Sequence, residues 1–286
     1  MNHIIEILSA PENGFLLCAL AAGALGSIAF GIVGTLVVTR NLVSIGGAVA
    51  HAALGGIGAA CYFRETFHLS WCHPMLGAVI ASMIGAWLIG LASLYARQRE
   101  DTVIGAIWAV GMAAGLMFLN ATPGYVDLNA YLFGNILMLD GSDLIWLAAL
   151  DGIIVFSVGI FHNRIFAVIF DREFAALRGI RADRVYLFVL ELVALTVVLM
   201  VNMVGVFMVI ALLALPAAAA EVFSGRLSGI MVISALLCCF FTTCGIGVSF
   251  CADWPAGPVI VLLSAACYLA VLGLRAVIRG RRARTA

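Results

Sequence analysis

The feature that most constrains this chain is a succession of long apolar runs that contain few charges. A helix needs about 20 mostly apolar residues to cross the hydrocarbon core of a membrane. Runs of that kind occupy residues 14–38, 41–63, 74–95, 102–120, 143–161, 185–201, 203–223, 227–249 and 255–275. Only Asn202 separates the sixth run from the seventh. We therefore predict an all-α, polytopic membrane bundle with eight or nine transmembrane helices.

The composition favours a single transmembrane domain over residues 1–286. Hydrophobic residues make up 64% of the chain and charged residues 10%, whereas soluble domains are about 45–50% apolar and about 25% charged. So few polar groups cannot cover the surface of a soluble protein. The N-terminus lacks the basic segment that opens a secretory signal, so we interpret it as part of the mature protein.

The basic residues of the chain are all arginine, and lysine is absent. A Walker A loop needs a lysine to reach the β and γ phosphates of a nucleotide. If ATP drives this protein, a separate chain therefore has to bind it. We also predict no nucleic-acid partner, because the arginines follow the ends of membrane spans instead of forming a basic groove.

The distribution of charge predicts the orientation in the membrane. If the spans alternate in direction, one side carries Arg40, Arg97, Arg99, Arg164, Arg172, Arg178, Arg181, Arg184, Arg226 and the arginine-rich tail at 275–286. The other side carries Glu6, Glu12, Asp127, Asp140, Asp143 and Asp253, with Arg64 as its one arginine. Arginine marks the cytoplasmic side, so we predict an outer N-terminus and a cytoplasmic C-terminus.

The inner loop at 162–184 predicts a short capped helix at about 171–179. Asp171 is a good N-cap residue and Gly179 a good residue just beyond the C-terminus. Phe174 and Leu177 are three residues apart and would share one face. Such an apolar ridge with an arginine-rich rim suits the docking of another protein, and the alternative is an amphipathic helix lying on the lipid surface.

His51 is the one strongly ionisable group in the second apolar run. Its neighbours four residues away on a helix are Gly47 and Gly55, so the imidazole faces either a gap or a closely approaching helix. Ionisable residues within membrane spans usually face the bundle interior or a polar pathway. His51 is therefore a candidate ligand of a metal pathway, and the alternative is a histidine that hydrogen-bonds to a neighbouring helix.

Two acidic residues are further candidates for this pathway. Glu191 lies in the sixth run and could accept a proton, bind an ion, or be a neutral acid bonded to backbone, and we favour the structural interpretation. Asp151 lies in the fifth run, near the predicted outer side. Pro216 should bend the seventh span.

The cysteines offer one possible cross-link. Six of the eight lie in predicted spans and suit packing. Cys72 and Cys251 are both predicted on the outer side, where disulfides persist, so a bridge between them is a hypothesis. His68, Cys72 and His73 are plausible soft-metal ligands, but no second cluster completes a tetrahedral site.

Five segments, in order, resemble the membrane permease of the zinc/manganese/iron class of bacterial ABC transporters. They are NLVSIGGAVAHAALGGIG, VDLNAYLFGNIL, FDREFAALRGI, VGVFMVIALLALPAAAA and WPAGPVIVLLSAA. The resemblance extends from about residue 20 to residue 275. It implies a multi-pass protein of the bacterial inner membrane that is a transport subunit and not an enzyme.

The resemblance also implies partners. Two permease copies, expected to be identical, would form a pore, two ATPase subunits would dock below, and a periplasmic metal-binding protein would deliver the ion from above. The segment FDREFAALRGI would be the coupling helix, with Asp171, Glu173, Phe174, Leu177 and Gly179 at the ATPase. ATP would be bound by the partner chain, and the transported ion would be the only metal.

The resemblance places His51 on the ion pathway but leaves part of that site unfilled. The family has an aspartate four residues before the histidine and a proline after it, where this chain has Gly47 and Gly55. Asp151 or Glu191 could take the place of the missing aspartate. Alternatively, the pathway binds the ion weakly, which is compatible with transport because a transit site has to release the ion that it admits. The segments AYLFG and PAGP resemble the zinc-uptake branch, so zinc is expected, with manganese and iron(II) as alternatives.

Two other classes of function stay open at this point. One is a proton- or sodium-coupled secondary transporter with Glu191 as the coupling carboxylate, although no inverted repeat is visible. The other is a membrane scaffold or receptor that transports nothing, in which His51 only packs.

Overall fold

The computed structural model describes residues 14–69, 71–95, 99–123, 132, 134, 136, 139 and 141–285. The charge-based predictions for Glu6, Glu12, Arg97, Asp127 and Asp140 lie outside these residues. The described chain forms nine helices in the order α1 (Gly14–Thr39), α2 (Val43–Phe67), α3 (Pro74–Tyr95), α4 (Glu100–Ala121), α5 (Gly141–Phe170), α6 (Arg172–Leu177), α7 (Ala182–Phe223), α8 (Leu227–Ala252) and α9 (Ala256–Thr285). Within these residues no strand occurs. The predicted all-α fold is confirmed.

Nine stretches of the described chain are long and apolar enough to cross a membrane, because α7 contributes two. A straight helix of 42 residues would be about 63 Å long, roughly twice the hydrocarbon thickness. Gly205, with φ 77° and ψ 161°, breaks α7 between the spans Ala182–Val201 and Val204–Phe223. The sequence located this boundary at Asn202, and the backbone break falls three residues later, because only glycine adopts this conformation at little cost.

One span is longer than the sequence predicts, and one predicted bend stays open. α5 continues to Phe170, well past the predicted end at residue 161, because polar residues 162–164 lower the hydropathy without interrupting helical hydrogen bonding. Pro216 lies inside the second span of α7, whereas the non-helical backbone angles of this helix are at Gly205. A bend at Pro216 stays a prediction.

The helix α2 occupies the centre of the bundle and packs against α3, α4 and α7. About 78% of its most apolar stretch is buried, compared with 17% for α4 and for α9. Lipid gives helices little hydrophobic reason to associate, so they pack through small residues that let backbones approach. On one face of α2, Gly56 meets Gly77 of α3 so closely that neither position has room for a Cβ atom.

A second glycine-lined face of α2 meets α4. A Cβ at Gly55 would lie 2.9 Å from the carbonyl oxygen of Gly111, and a Cβ at Gly58 would lie 2.6 Å from that of Gly115. Both distances are shorter than real Cβ contacts. The glycine-rich run that contains His51 therefore holds α4 directly against α2.

Candidate functional site

The imidazole of His51 is enclosed in the middle of the bundle. Its side chain lies on α2 and is 2% exposed. Among the described residues, Nδ1 has no hydrogen-bond partner. The ring stacks on the indole of Trp108, with centroids 4.9 Å apart and an angle of 24° between the planes. Of the two arrangements expected from the sequence, a gap or a closely approaching helix, the second is found.

Gly47 and Gly55 explain why α4 comes so close to this histidine. A Cβ at Gly47 would lie 2.8 Å from Cζ3 of Trp108, so the indole fills the space that a larger residue would need. Gly55 accommodates the backbone of Gly111 one turn further along α4. Gly47 thus forms a shallow slot in α2 that receives Trp108 beside the imidazole, and Gly55 lets the α4 backbone approach.

Trp108 is the neighbour of His51 that sequence reasoning missed. It lies in the predicted span 102–120, where an aromatic residue in an apolar run carries no signal of a site. Which faces of two helices meet depends on their rotation in the bundle, and one sequence does not give that rotation. The sequence held one weak signal, which is Gly47 itself. A glycine on the same helix as His51 leaves the space that a large ring on a neighbouring helix needs.

Asp151 is equally buried but belongs to another part of the bundle. It lies on α5, is 4% exposed, and neither carboxylate oxygen has a partner among the described residues. α5 packs against α1, α6 and α7, whereas α2 packs against α3, α4 and α7. The carboxyl faces the core beside Leu147 and Ile154 on its own helix.

Glu191 lies on the first span of α7, which packs against α2 and α3. The side chain is half-buried, and its Oε2 atom has no hydrogen-bond partner within the described part of the chain. In the described ranges, no three His, Cys, Asp or Glu side chains come together as a metal site. His51, Asp151 and Glu191 therefore do not form one ligand cluster within a single chain.

The loop between α2 and α3 holds separate polar residues instead of a metal cluster. His68 is exposed and adopts a left-handed backbone conformation with φ 53°. Nδ1 of His73 accepts a hydrogen bond from the backbone N–H of Met75 at 3.3 Å. Cys72 and Cys251 are free thiols in the structure, and their bridge stays a prediction.

The short helix α6 has the caps that its sequence indicated. The Asp171 carboxylate accepts a hydrogen bond from the Phe174 N–H at 2.8 Å. At the other end Gly179 has φ +79°, its N–H donates to the Ala176 carbonyl, and the Ile180 N–H donates to the Ala175 carbonyl. These two bonds form a Schellman motif, which accounts for the glycine.

The helix α6 is held to the membrane bundle on its inner face. Ala175 is fully buried against Val168 of α5 and Ala182 of α7. Arg172 pairs with Asp183 at the start of α7. The guanidinium of Arg40, in the turn between α1 and α2, donates to the Val168 carbonyl. Burial, and then the positive charge of Arg172, lower the pKa of Arg40.

The outer face of α6 is apolar and open. Phe174 is 49% exposed and Leu177 is 87% exposed. The guanidinium of Arg178 lies over the Phe174 ring, 4.8 Å from its centroid. Beside this ridge is an open groove of about 630 Å³ whose charged lining includes Arg172, Glu173, Asp183 and Arg184. α6 thus combines an apolar ridge with a charged rim, as the sequence predicted.

Comparison with known proteins agrees with this architecture. The sequence model of the ABC 3 transport family matches residues 12–275. A probable metal transport system membrane protein of Chlamydia pneumoniae is 39% identical over 251 residues, which are 87% of this chain and 85% of that protein. The manganese transport system membrane protein MntC of Halalkalibacterium halodurans is 30% identical over 256 residues, 89% of this chain and 85% of that protein.

A solved structure has the same fold. It is PsaBC from Streptococcus pneumoniae in complex with Fab, and one of its chains superposes with a TM-score of 0.82 over 94% of both chains. The identity is 24%, so this similarity bears on the fold alone.

Proposed function

The chain belongs to the ABC 3 transport family, and we propose that it is the membrane permease of an ATP-driven importer of divalent transition-metal ions, with zinc as the favoured cargo. The observation that carries the proposal is the family match over residues 12–275. The nine apolar spans of the described chain supply the membrane part. ATP would be hydrolysed by a separate chain, since this chain has no lysine for a Walker A loop.

The assembly we propose lies in the bacterial inner membrane with the arginine-rich side in the cytoplasm. Two copies of this chain form the pore, a periplasmic metal-binding protein delivers the ion, and two ATPase subunits dock from the cytoplasm. The permease is a transport component and carries no tightly bound cofactor. The ion is its cargo.

The ridge of α6 is the proposed contact with the ATPase. Phe174 and Leu177 point away from the bundle, and Asp171 and Gly179 fix the two ends of the helix. Ala175 and the Arg172–Asp183 pair connect α6 to the ends of α5 and α7. A displacement of α6 by the ATPase would therefore be transmitted directly to α5 and α7.

The ion pathway we propose passes His51. A neutral imidazole is a common zinc ligand, and its unpartnered Nδ1 is available for that role. Among the described residues, one chain supplies a single such ligand there, so the pathway binds its ion weakly and releases it readily. Asp151 and Glu191 are proposed as further polar groups of the pathway, because each has carboxylate oxygen without a partner among the described residues.

Zinc is favoured because nitrogen ligands suit zinc better than manganese, which prefers carboxylate and water oxygens. Manganese is the second candidate, because relatives about as long as this chain are named manganese transport proteins. The two cargoes differ in what the pathway should contain. A zinc pathway can rely on imidazole, whereas a manganese pathway should need Asp151 or Glu191.

Uptake by the reconstituted complex tests this proposal. The permease, its ATPase and its binding protein are placed in liposomes, and uptake of zinc, manganese and iron(II) is measured at equal concentrations. We expect ATP-dependent uptake, fastest for zinc. Faster uptake of manganese than of zinc would make manganese the cargo. Uptake driven by a proton or sodium gradient without ATP would overturn the proposal in favour of secondary transport.

A further inference from the structure

His51 and Trp108 lie at the same depth in two parallel helices. His51 is the ninth residue of α2, which begins at Val43, and Trp108 is the ninth residue of α4, which begins at Glu100. Since α3 runs back across the membrane between them, α2 and α4 enter from the same end. Eight steps along a helix place both rings about 12 Å from that end. The stacked pair therefore lies near the middle of a hydrocarbon layer about 30 Å thick.

The indole covers the face of the imidazole that points toward α4. His51 is 2% exposed, whereas Trp108 is 36% exposed and forms the outer layer of the pair. Beside the histidine, the three atoms nearest to a Cβ at Gly47 all belong to the Trp108 ring. Removing the indole would uncover the face of His51 on which that ring stacks.

The backbone of α4 is fixed beside this pair while the Trp108 side chain has room outside. One turn further along the helix, a Cβ at Gly111 would lie 2.8 Å from the Ala52 backbone. At Gly105, one turn earlier on the same side of α4, a Cβ would meet nothing within 4 Å, and Trp108 itself is 36% exposed. Space is thus present into which the indole could rotate about its side-chain bonds while α4 stays packed against α2.

We propose that Trp108 is a movable cover that controls access to His51, and that Gly47 is the slot in which the cover closes. Trp108 is an access-controlling residue and not a metal ligand, since indole offers a hydrogen-bond donor and no lone pair in the ring plane. The consequence for transport rests on the proposed function, because it matters only if the ion passes His51. The covering itself can be measured without any transport.

Chemical modification of His51 tests the cover. The purified permease–ATPase complex in detergent is treated with diethyl pyrocarbonate, and tryptic peptides are quantified by mass spectrometry over time. Cleavage after Arg40 and Arg64 gives a peptide in which His51 is the one histidine. The exposed His68, in the next peptide, provides the reference rate.

We expect His51 to react at least roughly tenfold more slowly than His68 in the wild type, because it is buried under the indole. Trp108→Ala should raise the rate at His51 roughly tenfold, whereas Trp108→Phe, which keeps a ring over the imidazole, should stay near the wild-type rate. Trp87→Ala is the matched control, since Trp87 lies on the neighbouring α3 and is 53% exposed. It should change nothing at His51.

Three results would overturn the proposal: fast modification of His51 in the wild type, no increase in Trp108→Ala, or an equal increase in Trp87→Ala. If Trp108→Ala does not fold, Trp108→Leu keeps apolar bulk without a ring and has to show the increase instead. Zinc uptake separates this result from the proposed function. If His51 reacts faster in Trp108→Ala but His51→Ala takes up zinc normally, Trp108 does cover His51. The ion pathway past His51 would then be wrong.

Discussion

The pair of His51 and Trp108 and the helix α6 show opposite uses of polarity. In the first, a polar ring is 2% exposed and stacks on an indole. In the second, Leu177 is 87% exposed on a helix outside every candidate span. A buried polar group and an exposed apolar ridge are the two departures from ordinary burial that carry information. This contrast fits the proposed function, in which the interior of the bundle binds the ion and α6 binds the protein partner.

The largest effect is expected from the double variant Phe174→Asp with Leu177→Asp. Two carboxylates on the ridge would have to be desolvated in any apolar contact with the ATPase, so the two chains should no longer co-purify and uptake should disappear. Trp254→Asp is the control and should keep the ATPase, since Trp254 is an exposed aromatic residue between α8 and α9, with an exposure (62%) between those of Phe174 and Leu177. Unchanged co-purification of the double variant would assign the ridge to the lipid surface instead.

The next effect concerns the interior site alone. His51→Ala should lower zinc uptake by roughly tenfold or more, because it removes the nitrogen ligand while the surrounding helices stay packed through glycines. Co-purification with the ATPase should be unaffected, in contrast to the ridge variant. His68→Ala, in the exposed loop, should transport normally. Full uptake by His51→Ala in zinc-depleted medium would make His51 a packing residue.

A third variant, Gly47→Asp, tests whether the slot and the cover belong together. Because a Cβ at this position would lie 2.8 Å from Trp108 Cζ3, the single variant should displace the indole and reduce thermal stability. Combined with Trp108→Ala, the new carboxylate has space beside His51 and should raise zinc affinity, measured as a lower half-saturating concentration for uptake. Additive effects of the two changes would show that residues 47 and 108 are not coupled.

The smallest effect is expected from Asp171→Ala. It removes the side-chain hydrogen bond to the Phe174 N–H and should cost about 1 kcal/mol, as for other N-caps. The helix α6 should nevertheless stay in place, because Ala175 and Arg172 still hold it to the bundle. We expect a small decrease in ATPase affinity, measured by titration of the two purified chains, and Asp171→Asn should restore it. A loss as large as that of the ridge variant would make Asp171 a direct contact.

Much of the architecture could be predicted from the sequence because the signals are local. Hydropathy over about 20 residues predicts each span whatever lies beside it, and the nine stretches of the described chain agree with it. The caps of α6 were also predictable, since Asp171 and Gly179 act on backbone groups within a few residues. His51 stood out because an ionisable group in an apolar run is costly wherever it points.

What the tertiary structure alone decided is which side chains meet. The stack of Trp108 on His51 depends on how α2 and α4 are rotated and how closely Gly55 and Gly111 let them approach. The separation of Asp151 from that stack depends on which helices pack together. The break at Gly205 needed a backbone conformation that composition does not specify. Local chemistry thus determined the helices and their ends. Contacts between distant residues depended on the packed bundle, because lipid favours many helix pairings about equally and the fit of small residues selects among them.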